Sequence, residues 1–518
     1  MGSSDTSVKT TSEKPGASRP SEQSPLWNRE SVAVLAMLTA LGTVSRFLFL
    51  VRKPFWFDEC FSVEVARLPW SDFCKLMWRR EANMSLYYLL LRGWLHLGSS
   101  PFFIRSLSVI LSLACLPAVF WLAGKMFGGR VALLATLLIA VNAYHIRYAQ
   151  EARSYALFVL LATLSSGFFI AWQQEPSRRN RFAYAIASVL TVYAHLYALL
   201  LLAAQWLSVR RWWREDAGRR SNSSGRTSIW RQTWIWIGIA IAPLVIFAAK
   251  TGAGPIRWIP KPSLYGVLLF GELLVGNDGL FLFLIYVTAC CIAFDVSRRK
   301  ERKHGSSICS WEIRFLLIWL IFPVFIVVLL SLARPLFLGR YLIFCLPPFV
   351  ILASAGITEL RKIWAIMVAV IIVLLSMQGI HSYYDYDFDL VRDRSETATN
   401  YVLDHSRPGD AILFHIAEGR VPYEFFRSLR GANGGPEIVY PRHGDRLDYR
   451  DFSGRPSADL VRSLDARYSR VWVWLMSNEK AGRPDASTVM LEQVLNEGFV
   501  ETEEEQYPQV ELRLYSRR

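Results

Sequence analysis

Two adjacent carboxylates, Asp58 and Glu59, stand among Phe55, Trp56, Phe57 and Phe61, directly after the basic pair Arg52 and Lys53 that ends a first apolar run. Acids held among rings at the mouth of an apolar segment are costly, and that cost is usually met for chemistry. The plainer reading is an acidic loop at a membrane surface. A second acid, Glu151, falls in HIRYAQEARSYAL with His145, Arg147, Tyr148, Arg153 and Tyr155. His195 and Tyr197 follow in VYAHLYA, and Arg340 with Tyr341 opens GRYLIFCLPP. Carboxylates beside aromatic rings and guanidinium groups are the materials of a general base facing an anionic leaving group. The carboxylate takes a proton while arginine holds phosphate through two parallel hydrogen bonds. For Arg340, and for Arg105 in FFIRSLS, a second reading stands beside phosphate contact: the side chain snorkels to lipid headgroups. His195 has its own alternative as a hydrogen-bonded histidine of a helix turn, and Trp258 in IRWIP as an interfacial anchor.

The elements that would carry these groups belong to a membrane protein. Of 518 residues 53% are hydrophobic and 14% aromatic, too apolar for an ordinary soluble chain. The formal charge of +15 does not argue for nucleic acid, because the basic residues form short clusters between apolar runs, with no single basic face. Seven cysteines make no metal-type pair; Cys60 and Cys74 share one loop, where a disulfide is one option.

Residues 1–28 read as a polar cytoplasmic tail without an apolar face. Apolar runs long enough to cross a bilayer begin near Val32, Phe102, Val131, Tyr155, Trp234, Leu280, Ile313, Tyr341 and Ile363. The run from Phe182 to Val209 is basic on both flanks, so it must cross an even number of times and turn near His195. Its two limbs, about 14 residues each, would reach only about 21 Å, which predicts a thinned membrane or a re-entrant hairpin. Met84–Gly98 and Leu264–Val275 read as interfacial helices. The total is about eleven crossings, an odd number. With the tail inside, the first loop (52–101, also holding Glu64, Asp72 and Glu81), Glu151, His195, Trp258 and Arg340 all fall on the outer face.

After residue 380 the composition turns polar. Strand-like AILFHI, EIVYP, SRVWVWLM and VELRLYS alternate with helix-like SETATNYVLDH and ASTVMLEQVLNEG. Residues 381–518 therefore predict a small extracytoplasmic α/β domain, without a phosphate loop, nucleophile elbow or metal signature, in an accessory role. The expected fold is an all-α polytopic membrane domain over 29–380 followed by that α/β domain.

FWFDE after a first crossing, RYAQEARSYAL after a third, the VYAHLYALL hairpin and a late GRYL together resemble the bacterial GT-C membrane glycosyltransferases of the protein O-mannosyltransferase and aminoarabinose transferase type. The resemblance covers about residues 30–380 and implies transfer from a polyprenyl-phosphate sugar to an acceptor hydroxyl of a lipid, glycan or protein, with inversion, at the outer face of a cell inner membrane. It implies Asp58 as catalytic base with Glu59 beside it, and Glu151, Arg153, Tyr155 and Arg340 as substrate-binding residues; His195, Arg105 and Tyr341 join that set by their position. Some relatives bind a divalent metal, but no ligand set carries over and no other cofactor is implied. Where the commoner pattern has His-Pro-Leu-Tyr or Pro-Pro-Leu-Tyr before the interfacial helix, this chain has Asn83-Met84-Ser85-Leu86-Tyr87, a departure that bears on donor or acceptor choice. A transporter or lipid-handling protein is the competing class, disfavoured by the lack of an internal repeat and by charges gathered at one surface rather than at the midplane.

Overall fold

The structure, a computed structural model, describes residues 26–216, 223–251, 259, 261–276, 279–303, 310–385, 394–431, 434–441, 447–448, 451–476, 479–480 and 483–518. The expected tail lies almost wholly outside them, as does Trp258. Helix α1 (Arg29–Phe47) leads into a first loop that is itself helical: α2 (Phe57–Arg67), α3 (Trp70–Arg79) and α4 (Ser85–Leu95). Next come α5 (Pro101–Phe127), α6 (Gly129–Ala140), α7 (Ala143–Ala149), α8 (Tyr155–Gln174), α9 (Arg178–Ala194) and α10 (Ala198–Asp216). They are followed by α11 (Ser223–Thr251), α12 (Leu264–Val275), α13 (Leu280–Lys303) and α14 (Trp311–Ser331). A 3-10 segment (Gly339–Cys345) runs into α15 (Leu346–Thr358), and α16 (Lys362–Asp385) closes the bundle.

Eight helices among the described residues are long and apolar enough to cross a membrane, or nine when α6 and α7 are taken as one bent span. The chain is thus a multi-pass membrane protein. The about eleven crossings read from the sequence include the pair α9 and α10, which this count leaves out. That pair is longer than expected. Helix α9 starts within the basic cluster at Arg178, capped by Ser177, whose hydroxyl accepts from the Asn180 amide, so it has 17 residues and α10 has 19. At helical rise these reach about 26 and about 28 Å, with the charged residues at their basic ends included. Burial sorts the bundle: α8 is 89% buried and the segment from Gly339 to Thr358 94%, whereas α13 and α16 are 22% buried and present apolar side chains outward, as lipid requires.

The third expected crossing is not one helix. It breaks at Val141–Asn142, with a 61° bend between α6 and α7. The Asn142 side chain accepts from the His145 amide and starts α7 as a new helix. The end of α6 is met from α1: the buried Arg46 guanidinium donates to the carbonyls of Ile139 (3.2 Å) and Ala140 (3.0 Å), and to Ser112 Oγ (2.8 Å). These carbonyls have no helical amide left to bond, so an arginine inside a span is here a helix cap. The bend sends the chain from α7 to α8 past α2, and so carries Glu151 and Arg153 to the acidic pair.

Residues 394–518 form the expected α/β layer: α17 (Ser395–His405), β1 (Ala411–His415), α18 (Arg420–Leu429), β2 (Glu437–Tyr440), α19 (Ala458–Arg462), β3 (Arg470–Leu475), β4 (Glu479–Lys480), β5 (Arg483–Pro484), α20 (Ala486–Gly498), β6 (Phe499–Tyr507) and β7 (Val510–Arg517). Five strands pair in the order β2-β1-β3-β7-β6, the first three parallel and the last two antiparallel to their neighbours. The edge strand β6, FVETEEEQY, was not legible as a strand. Of its glutamates Glu501 and Glu504 are exposed and Glu503 and Glu505 half-buried, a charged edge that repels other chains. Helix α18 turns Val421, Phe425 and Phe426 away from the sheet and into the core of the membrane-spanning part, where Leu447 joins them.

Candidate active site

Asp58 and Glu59 occupy the first turn of α2, and the 100° step between neighbours on a helix sends them to different partners. Glu59 is fully buried. Arg105, from the second turn of α5, grips it through Nε to Oε1 (2.9 Å) and Nη2 to Oε2 (2.7 Å), and the Ala152 amide donates to Oε1 at 2.8 Å. Arg105 also donates to the carbonyls of Leu50 (2.8 Å), Lys53 (2.8 Å) and Pro54 (3.1 Å), with its guanidinium 4.3 Å over the Phe55 ring. Both ions are thus spent on each other and on the backbone. Arg105 is buried and so does not snorkel to the headgroups.

Asp58 differs. Its side chain is 19% exposed, and Oδ2 lies 3.4 Å from Arg340 Nη2 and 3.8 Å from Arg153 Nη2. Neither contact has closed to the 2.7–2.9 Å of a charge-assisted hydrogen bond, so the carboxylate sits between two cations without being locked to either. Arg153 is placed by other atoms: Nη1 donates to the Asp58 carbonyl (3.3 Å) and to Ser62 Oγ (3.2 Å). Burial alone would loosen the proton on Arg153, but the Asp58 carboxylate together with Tyr88, Tyr155 and Tyr341 outweighs it and the guanidinium stays firmly charged. Arg340 lies 5.2 Å over the Trp56 ring and 5.7 Å over Tyr341. It therefore faces the bundle and not the headgroups.

An aromatic wall continues from these cations. Tyr341 lies 5.0 Å from His195 and 5.2 Å from Tyr197; His195 stacks on Phe158 at 5.0 Å, and Tyr155 packs against Tyr148 at 4.8 Å. His195 Nδ1 accepts from the Tyr197 amide (3.2 Å), which leaves Nε2 as the protonated, donating nitrogen. That Nε2 and the Tyr155 hydroxyl are buried without a hydrogen-bond partner among the described residues. Two donors left so beside two guanidinium groups suit an anionic ligand. Glu151 lies one step aside, 3.9 Å from Arg147. The structure therefore brings Asp58, Arg153, Arg340, Tyr341, Tyr155 and His195 together, and sets Glu59 with Arg105 behind them.

Further groups of the first loop and of α5 stand beside these residues. The Asn83 side chain accepts from the Leu196 amide (3.1 Å), tying the first loop to the hairpin turn beside His195. The Tyr87 hydroxyl bonds Ser108 Oγ at 2.9 Å, and Ser108 in turn reaches the Arg153 carbonyl at 3.4 Å. Burial pushes the Glu81 carboxyl up to about 7; Arg153 and the hydroxyl of Tyr88, 3.4 Å away, oppose the shift and Asp58 adds to it. Among the described residues no three His, Cys, Asp or Glu side chains converge as a metal site. Cys60 is buried and Cys74 exposed, and no disulfide joins them.

No protein-family model matches the chain. No curated protein matches its sequence. Solved structures do match. ArnT from Cupriavidus metallidurans in the apo state aligns with a TM-score of 0.63 at 11% identity, over 94% of this chain and 98% of that one. The same protein bound to undecaprenyl phosphate aligns at 0.58 and 12% identity, over 93% and 98%. An oligosaccharyltransferase from Archaeoglobus fulgidus in its apo form aligns at 0.53 and 9% identity, over 93% of this chain and 74% of that one. At such identities the likeness is one of fold, and the fold is that of the GT-C membrane glycosyltransferases, which the motifs of the sequence resemble.

Proposed function

We propose that the protein is an integral membrane glycosyltransferase that moves a sugar from a polyprenyl-phosphate donor to an acceptor hydroxyl of a lipid, glycan or protein, with inversion. The observation that carries this reading is the Asp58 carboxylate held loosely between Arg153 and Arg340 at 3.8 and 3.4 Å. Asp58 takes the acceptor proton as the acceptor oxygen bonds to the anomeric carbon. The carbon–oxygen bond to phosphate breaks, and the departing polyprenyl phosphate keeps the electron pair. Arg153 and Arg340 neutralise the charge that gathers there, with His195 Nε2 and the Tyr155 and Tyr341 hydroxyls as neutral donors. A single displacement of this kind inverts the anomeric centre. Glu59 and Arg105 position α2 in this scheme, and Glu151 orients the acceptor. An ArnT structure of the same fold holds undecaprenyl phosphate, which supports a lipid phosphate as the donor's leaving end.

The proposed topology has about eleven crossings of a bacterial inner membrane, a cytoplasmic N-terminus, and the site with residues 381–518 on the outer face, as the basic clusters at Arg178, Arg179 and Arg181 and at Arg298 to Lys303 require. The test is reconstitution in vesicles with a labelled polyprenyl-phosphate sugar and a hydroxyl acceptor. Labelled acceptor and free polyprenyl phosphate are the expected products. Labelled solute inside the vesicles with no covalent product would establish the transporter class instead.

A pH dependence follows from Glu81. Below pH 7 it is neutral; above, it places a negative charge beside Arg153 and the donor phosphate. Donor KM should therefore rise as pH passes through 7, roughly fivefold for a repulsion of about 1 kcal/mol. In Glu81→Gln that rise should vanish, and a wild-type pH profile in this variant would remove Glu81 from the site.

A further inference from the structure

Helix α2 is held from two sides. Toward α5 it is fixed by Glu59 and Arg105. Its other side is covered by the α/β layer: Phe425 of α18 stacks on Phe55 at 5.2 Å and 18°, and Phe452 stands edge-on to Phe57 (5.2 Å) and Phe61 (5.6 Å). The far end of α2 is tied as well, by Arg67 Nη1 to Ser428 Oγ (3.3 Å). A second tie reaches the segment that closes the first loop. Arg80, which ends α3 next to Glu81 and three residues before Asn83, donates from Nε to Asp448 Oδ2 at 2.7 Å. The Asp448 side chain is only 8% exposed, and an ion pair this close and this covered is not a fluctuating surface contact. Phe57 precedes Asp58 in the chain, and Phe61 lies one turn on, along the same side as Phe57. The ring of Phe452 between them therefore sets the roll of α2, and that roll sets how far Asp58 Oδ2 stands from the two guanidinium groups.

We propose that the α/β layer positions the base: the Arg80–Asp448 ion pair and the Phe452 wedge hold α2 and residues 80–84 so that Asp58 faces Arg153 and Arg340. The layer expected to be an accessory module is then a working part of the site, and Arg80, Asp448 and Phe452 are positioning residues that touch no reacting atom. The inference rests on Asp58 being the base. A misplacement of about 1 Å at such a group costs up to a hundredfold in rate, while ligand contacts elsewhere are kept.

The test is the set Arg80→Asp, Asp448→Arg and the swapped pair, with Phe452→Ala beside them, read by hydrogen exchange of the α2 amides and by transfer kinetics. Each single change should speed α2 exchange and lower kcat about ten- to hundredfold with donor KM within about twofold. The swap should restore both. Unchanged α2 exchange in the single variants would overturn the proposal, as would a folded swap no better than its parents, or a loss confined to KM. Phe452 is partly exposed, so Phe452→Ala decides the matter should the charge reversals not fold: fast α2 exchange with low kcat supports the clamp, and wild-type values refute it. The exchange readout needs no turnover. A wild-type protein that transfers no sugar would defeat the functional reading, while α2 exchange still decides whether the layer holds the helix.

Discussion

Asp58→Asn is expected to lower kcat for sugar transfer by about 10²–10⁴-fold, the range a positioned general base supplies. The amide keeps the shape of the carboxylate and loses only its power to take a proton. Stability should hardly change, because the Asp58 contacts at 3.4 and 3.8 Å are open ones and Arg153 keeps its bonds to the Asp58 carbonyl and Ser62 Oγ. Binding of polyprenyl phosphate should be kept or tightened, since a negative charge has been taken from between two cations. Asp58→Glu, which moves the carboxylate by one methylene, should recover part of the rate. The measurements are single-turnover transfer, thermal unfolding in detergent and binding of the free lipid phosphate. A folded Asp58→Asn enzyme with wild-type kcat would take the base away from this residue.

Asp58, Arg153 and Arg340 were legible because sidedness is a sum over the whole chain: charge clusters fix which ends of the apolar runs share a face, and the polar residues at those ends must meet there. What topology cannot give is the phase of a helix. Asp58 and Glu59 are neighbours in sequence and looked like one acidic pair, yet one turns to the site and the other to a buried arginine. Arg105 and Arg340 both stand at the start of a crossing, and the same two readings applied to each. Only packing separated the one that binds backbone and Glu59 from the one that lies over Trp56. Arg46 was invisible for a related reason. Its partners are carbonyls at a helix break, and the break is made by Asn142, which in a run of apolar residues gives no local stop signal. The apolar face of α18 is hidden among arginines, so the sequence showed an α/β domain without showing which side of it would be buried.

The largest stability effect should come from the other half of the acidic pair. Glu59→Ala leaves the Arg105 guanidinium, 1% exposed, without its counter-ion, and removing one partner of a buried ion pair costs about 3–5 kcal/mol. Arg105→Met strands the Glu59 carboxylate with the Ala152 amide as its remaining donor and should cost a similar amount. Replacing both, Glu59→Leu with Arg105→Met, should recover much of the loss, because an apolar pair of similar size avoids the burial of charge. Recovery stays incomplete, since the carbonyls of Leu50, Lys53 and Pro54 also lose the donor they share. Thermal unfolding of the three variants reads this directly, and transfer assays on whatever remains folded read the role. If Glu59 only positions α2, activity per folded molecule in the apolar pair stays well above that of Asp58→Asn. If that pair is as stable as the wild type and as inactive as Asp58→Asn, Glu59 belongs to the chemistry, and the acidic pair acts as two groups and not as one base on an anchored helix.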